Sequence, residues 1–233
     1  MPDAQPAPNQ DAPGRRTLQD ELADVRTDII RLAALTTEAI TAGTQAFLAG
    51  DPAAAEEVKA NDDAIDDLYH RIDDQLLLVL ATQSPVAADL RAVITTMRIS
   101  HELERTADLV VNVAKATKRI YPHTLDPKVR GIIDQMGQQA VNQTRVAIDA
   151  FADRDPTWAS VLSDMDDAMD DLTKSLFRHI FAETAGDEGS VLRAVQVALV
   201  GRHYERMADH AVTIAERVQF MVTGTHPGQA TDD

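Results

Sequence analysis

The stretch HELERTADLVVNVAKA, residues 101–116, returns in altered form as RHYERMADHAVTIAER, residues 202–217. Both copies carry the pattern E-R-x-A-D-x-x-V-x-x-A. In each copy a glutamate precedes an aspartate by four residues, which places the two carboxylates one helical turn apart on the same face. Like charges at this spacing cost an isolated helix about 0.2–0.5 kcal/mol. The repetition of an unfavourable pattern indicates an internal duplication that retains the carboxylates for a reason.

The duplication extends well beyond these two stretches. AFLAGDP at 46–52 matches AFADRDP at 150–156, and DDAIDDL at 62–68 matches DDAMDDL at 166–172. These pairs lie 104 residues apart, whereas the E-R-x-A-D pair lies 101 residues apart. The difference falls in the connection between the second and third helices of each half, where insertions are tolerated.

Composition and periodicity predict an all-α fold. Aromatic residues make up only 4% of the chain and apolar residues 44%, most of them helix formers. Apolar positions recur at helical spacing in six segments, and the dipeptides Asp51-Pro52, Ser84-Pro85 and Asp155-Pro156 are expected to open the second, third and fifth helices. We therefore predict six long helices in two tandem three-helix bundles, residues 17–122 and 123–223. The Pro-rich residues 1–16 and the tail 224–233 are expected to be disordered.

Charge and missing motifs exclude several classes of protein. A net charge of −16 argues against nucleic-acid binding and against direct binding to an anionic membrane. There is no cysteine, no glycine-rich phosphate loop and no nucleophile motif, so we expect no enzyme. The sequence lacks an apolar signal segment or membrane span and shows no basic pocket for phosphate, and a cytoplasmic location is expected.

The acidic pairs are the candidate functional residues. Glu104 and Asp108, and likewise Glu205 and Asp209, border the apolar stripe of their helix, where a neighbouring helix comes close. The second and fifth helices carry aspartates at the same four-residue spacing, and carboxylate oxygens so arranged suit a hard cation. A solvated acidic face with arginine partners is the alternative, and the sequence leaves both open. The histidines at 101, 203 and 210 are expected at the edge or surface of the bundle.

The order of these motifs resembles the PhoU family. ELERTAD and YERMADH each follow a DDAIDDL-type segment, and AADLRAV lies at 87–93. The sequence of these motifs is most similar to that of actinobacterial members. Many members read E-R-I-G-D where this chain has Ala107 or Ala208 in place of glycine. The resemblance implies two three-helix bundles and a set of carboxylates that bind iron, zinc, manganese or magnesium. Carried over by position, these ligands are Asp62, Asp66, Glu104, Asp108, Asp166, Asp170, Glu205 and Asp209.

The resemblance also implies a function without catalysis. Members of this family act in the cytoplasm as regulators of phosphate uptake and of phosphate-starvation signalling. They connect the ATPase subunit of a phosphate ABC transporter with a sensor histidine kinase, exert negative regulation when phosphate is plentiful, and are usually homodimers. Contact with the membrane is expected only through these partners. The alternative function is a carboxylate-bridged metal protein with an iron-storage or redox role.

Overall fold

The computed structural model describes residues 17–183 and 188–225, and these ranges contain six α-helices and no strand. The all-α prediction is therefore confirmed. The predicted arm 1–16, residues 184–187 and residues 226–233 of the predicted tail lie outside the described residues. The helices are α1 (Leu18–Ala49), α2 (Pro52–Gln83), α3 (Ala87–Ile120), α4 (Pro127–Asp153), α5 (Trp158–Glu183) and α6 (Glu188–Thr223).

Local signals account for several helix ends, and the start of α2 is the one that was predicted. The Thr17 hydroxyl and the Asp20 carboxylate form a reciprocal capping box at the start of α1. Gly50 ends α1 with φ of 62°, a left-handed conformation that glycine adopts without steric cost. The Asp51 carboxylate accepts hydrogen bonds from the backbone N–H of Ala53 at 2.9 Å and of Ala54 at 3.2 Å, so Asp51-Pro52 opens α2.

The predicted opening of α3 by Ser84-Pro85 is wrong. Ser84 instead ends α2 in the left-handed conformation, with φ of 48°, and α3 begins only at Ala87. Val86 precedes α3 and supplies no side-chain hydrogen bond to its first turn. A residue before proline is disfavoured in the helical conformation, which separates the two helices at this point.

The predicted opening of α5 by Asp155-Pro156 is also wrong, because the helix begins two residues later, at Trp158. The Asp155 carboxylate accepts hydrogen bonds from both the backbone N–H and the hydroxyl of Thr157, at 2.9 and 2.7 Å. This local bonding satisfies the carboxylate before the first helical turn.

The helices form two three-helix bundles that lie side by side. Helices α1, α2 and α3 contact one another in the first bundle, and α4 and α6 pack with α5 in the second. Two contacts join the bundles, α1 with α4 and α3 with α6. Within the described ranges, α2 and α5 contact only helices of their own bundle, so both lie on the outside. No helix in these ranges is both long and apolar enough to cross a membrane.

The apolar core consists of two clusters, and each cluster contains side chains from both bundles. One cluster, the Phe47 cluster, combines the C-terminal halves of α1 and α3 with the N-terminal halves of α4 and α6. The other, the Leu76 cluster, combines the N-terminal halves of α1 and α3 with the C-terminal halves of α4 and α6. Helices α3 and α6 are therefore antiparallel, and each half of the chain completes the core of the other. Each fully buried large side chain in these clusters contributes about 1.5–3 kcal/mol.

A buried polar contact joins the two halves within the Phe47 cluster. The Tyr204 hydroxyl on α6 lies 2.7 Å from the Thr44 Oγ1 on α1, and Tyr204 is almost completely buried. Gly137 of α4 lies against the same threonine, and a Cβ at this position would come within 2.6 Å of its side chain. Glycine is thus required for α4 to approach α1 this closely.

Candidate functional site

The first acidic cluster, Asp62, Asp66, Glu104 and Asp108, lies where α2 faces α3. Leu103 and Ala107 of the predicted α3 stripe are buried, and this anchors the acidic residues beside them at the seam. Asp62, Asp66 and Glu104 are partly buried, and Asp108 is exposed. All four predicted ligands of the first half are therefore brought to one place.

Burial and mutual repulsion raise the pKa values in this first cluster. The pKa of Asp62 rises to about 6, first because of burial and then because of the carboxylates of Asp66, Asp108 and Glu104. Burial and the Asp108 carboxylate also raise the pKa of Asp66 and of Glu104. The first cluster therefore holds negative charge only at a cost in free energy.

Positive groups offset this repulsion only in part. His101 and Arg105 lower the pKa of Glu104, and His70 lowers that of Asp66. The His101 Nδ1 lies 3.6 Å from a carboxylate oxygen of Glu104, an ion pair that exists only when the imidazole is protonated.

The second acidic cluster, Asp166, Asp170, Glu205 and Asp209, lies at the equivalent seam between α5 and α6. Burial, then Asp209 and then Asp170 raise the pKa of Asp166. The pKa of Asp209 is raised first by burial, then by the Glu205 carboxylate, and also by Asp170. The four predicted ligands of the second half are thus brought together as well.

Two features distinguish the second cluster from the first. Arg202 forms an ion pair with Glu205 and lowers the pKa of Asp209. Gln143 of α4 is completely buried, and neither of its amide atoms makes a hydrogen bond. It nevertheless lies close enough to Asp166 to lower the pKa of that carboxyl. The repeat places Ala39 at the position of Gln143 in the first half.

The donor set suits a hard cation, but the side chains do not form a coordination sphere. Carboxylate oxygens are ligands that magnesium, manganese and iron accept. In the part of the chain that the structure describes, no group of three or more aspartate, glutamate or histidine side chains is arranged to hold a metal ion. The remaining acidic pairs of α2 and α5 are exposed: Asp63, Asp67, Asp167 and Asp171.

The sequence did not reveal the polar contacts between α3 and α6. His210 was expected at the edge or surface of the bundle, but it is buried, and its Nδ1 lies 3.0 Å from the Thr106 hydroxyl. Burial first, then the positive charges of Arg105 and Arg206, lower the pKa of His210 to about 4. The spacing of apolar residues in α6 does not by itself place His210 on a buried face. Its burial becomes evident only when α3 is known to cover that side of α6.

Comparisons with known proteins agree with this fold. The PhoU domain matches residues 29–117 and 133–218. A Mycobacterium tuberculosis protein named phosphate-specific transport system accessory protein PhoU homolog 2 is 35% identical over 214 residues, which is 91% of this chain and all of the relative. PhoU homolog 1 of the same species is 38% identical over 192 residues, which cover 81% of this chain and 85% of that protein.

Solved structures show the same architecture. The crystal structure of PhoU from Pseudomonas aeruginosa superposes with a TM-score of 0.83 at 28% identity, covering 90% of this chain and 100% of that one. The regulatory protein PhoU from Streptococcus pneumoniae gives a TM-score of 0.81 at 25% identity, with 90% and 99% coverage. The six helices, the duplicated carboxylate motifs and the matches across both halves lead to one conclusion: the chain belongs to the PhoU family.

Proposed function

We propose that this chain is an accessory protein of a phosphate transport system and acts as a regulator rather than as an enzyme. The observation that carries the proposal is its similarity, over 91% of its length, to a relative whose name states that role. The relative is covered completely, so the similarity extends over its whole length. The acidic clusters offer charge to a cation or a protein partner.

The finer proposal is an adaptor that works in the cytoplasm, as a homodimer, between the transporter ATPase and a sensor histidine kinase. Exposed apolar side chains at the two helix connections of the repeat support protein binding. Leu78 of α2 and Val86 are 59% and 73% exposed at one connection. Phe181 and Leu192 are 77% and 59% exposed at the equivalent connection between α5 and α6. Because the connections are related by the duplication, the chain offers two similar docking surfaces.

We further propose that the acidic clusters bind divalent or trivalent cations. An ion between facing carboxylates would replace their repulsion by attraction, and this repulsion acts together with burial, the larger cause, to raise the pKa values of Asp62 and Asp166. Because the carboxylates do not converge as they stand, binding requires their side chains to rotate toward one another.

The adaptor proposal is tested by co-purification and by deletion. The full chain should co-purify with the transporter ATPase or with the cytoplasmic part of the kinase. Leu78→Asp and Leu192→Asp should weaken this co-purification. Val161→Asp is the matched control: Val161 is also an exposed apolar residue, but it lies at the start of α5, so its substitution should have no effect. Deletion should derepress phosphate-starvation genes. Normal repression in a strain that lacks the chain and every paralogue would contradict the proposal.

A further inference from the structure

Two open grooves lie on the side of the molecule where α1 contacts α4. The larger has a volume of about 690 Å³ and the smaller of about 350 Å³, and residues of these two helices line both. Four residues of α1 in the larger groove have their repeat counterparts on α4 in the smaller groove, 104 positions later: Ala33 and Gly137, Thr37 and Val141, Glu38 and Asn142, Thr41 and Arg145. The duplication has therefore produced one surface from two related grooves, which we call the α1–α4 face.

The charged side chains of the α1–α4 face have no ionic partner in their own chain. Glu38, Arg145 and Asp149 line the larger groove, and Arg31 lies two helical turns before Glu38 on the same side of α1. All four are exposed, and none of them forms an ion pair with another of the described residues. The further charged residue of the smaller groove, Asp134, accepts a hydrogen bond from a glutamine of its own helix at 3.0 Å. Two positive and two negative groups are thus left unpaired.

The register of α1 against α4 follows from two contacts. Gly137 lies against Thr44, because a Cβ at Gly137 would come within 2.6 Å of that side chain. Ile148 and Ala33 line the same groove. Both helices advance by eleven residues between these contacts, in opposite directions, so α1 and α4 are antiparallel in constant register. In this register every residue of one helix has a known level on the other.

This register makes the α1–α4 face complementary to itself. Along the helix axis, Glu38 lies within about 3 Å of the level of Arg145, and Arg31 within about 2 Å of that of Asp149. A second copy turned by 180° about an axis parallel to the helices would place its α4 over α1 at the same level. Glu38 would then meet Arg145 of the other copy, Arg31 would meet Asp149, and each pair would occur twice. An axis across the helices would instead bring Glu38 close to Glu38.

We propose that the α1–α4 face binds the same face of a second copy of this chain, through the pairs Glu38–Arg145 and Arg31–Asp149. The choice of a second copy rests on the homodimer of the proposed function and on the complementary charges, which fix the register of docking. Ile30 of the larger groove is 40% exposed and adds apolar surface to the contact. The two acidic clusters lie at other seams, between α2 and α3 and between α5 and α6, so this dimer leaves them accessible to cations.

Sedimentation velocity of the full chain tests this interface. Wild-type protein should form a dimer, and Glu38→Arg and Arg145→Glu should each raise its dissociation constant about 10-fold or more, because like charges then meet twice. An equimolar mixture of these two variants should dimerise as tightly as wild type, since each copy carries the charge that the other needs. Glu57→Arg is the matched control, because Glu57 is an exposed glutamate of α2, and its dissociation constant should stay within about twofold of wild type.

Three outcomes would overturn the proposal. The first is a wild-type chain that stays monomeric at about 100 μM. The second is Glu38→Arg with native circular dichroism and the dissociation constant of wild type. The third is a mixture that dissociates as readily as the single variants, which would show that these charges act within one chain. None of these results affects co-purification with the transport partners, so failure of this interface is distinguishable from failure of the proposed function.

Discussion

The two acidic clusters carry equivalent carboxylates but differ in the positive group beside them. In the first cluster Glu104 faces His101 at 3.6 Å, and the imidazole is charged only when protonated. In the second cluster Glu205 pairs with Arg202, which occupies the equivalent position and is always charged. The duplication has thus kept the carboxylates while the compensating charge has diverged.

This difference indicates that the two clusters need an external cation to different degrees. In the first cluster, burial and then the carboxylates of Asp66, Asp108 and Glu104 raise the pKa of Asp62 to about 6. The second cluster already contains the guanidinium group of Arg202, which lowers the pKa of Asp209. We therefore expect the first cluster to gain more free energy from a bound cation.

The largest expected effect is the stabilisation of the protein by Mn²⁺. A ligand at one hundred times its dissociation constant stabilises a folded protein by about 2.7 kcal/mol. Asp108→Asn should remove most of the Mn²⁺-dependent rise in melting temperature, and the matched change Asp209→Asn in the second half should remove a smaller part. Thermal unfolding with and without Mn²⁺ measures both. An equal loss in the two variants would remove the distinction between the clusters, and no loss in either would contradict cation binding.

A smaller effect is expected on the pH dependence of stability in the presence of a chelator. The pKa of Asp62 is about 6 in the folded protein against a reference value of 3.8, so between these values the folded state binds more protons than the unfolded state. The free energy of unfolding should therefore fall as pH rises through this window. After allowance for solvent screening, the loss from this group is about 1–2 kcal/mol.

Asp62→Asn should remove that loss and raise the free energy of unfolding at pH 7 by a similar amount. Urea denaturation at several pH values measures it. Asp63→Asn is the control, because this neighbouring aspartate is exposed, and its effect should stay within about 0.5 kcal/mol. A pH profile that Asp62→Asn leaves unchanged would show that repulsion in the first cluster does not affect stability.

The smallest expected effect comes from exchanging the positive partners. His101→Arg should lower the Mn²⁺ affinity of the first cluster, and Arg202→His should raise that of the second at neutral pH. Exposed ion pairs are worth about 0.2–1 kcal/mol, which corresponds to changes of about 1.4- to fivefold in affinity. Calorimetric titration of both variants gives these values. Shifts in the same direction for both would contradict the role assigned to the partner charge.

Helix ends illustrate how far local sequence determines structure. Asp51-Pro52 and Asp155-Pro156 are the same dipeptide at equivalent places in the repeat, yet only the first opens a helix directly. Thr157 makes the difference, because its hydroxyl and N–H both bond to the Asp155 carboxylate. The dipeptide rule describes an average preference, and the Thr157 hydroxyl, which Ala53 lacks, gives the Asp155 carboxylate an additional local hydrogen bond before the helix begins.

The candidate sites were predictable to different extents. The eight carboxylates were identified from spacing and resemblance, and each set of four meets at one seam because both motifs border buried stripes. Their metal content stays a prediction. Gln143 was not foreseen, because it lies on α4 and belongs to none of the repeated motifs.

The sequence by itself determined the six helices, the duplication and which residues line each seam, because hydrophobic period and repeated spacing act within single segments. Only the tertiary structure decided that the core is divided across the bundles, that His210 is buried and that Gln143 lies beside Asp166. These features depend on which helix covers which face. Contacts between residues about a hundred positions apart follow from the packing of complete helices, and no local pattern encodes them.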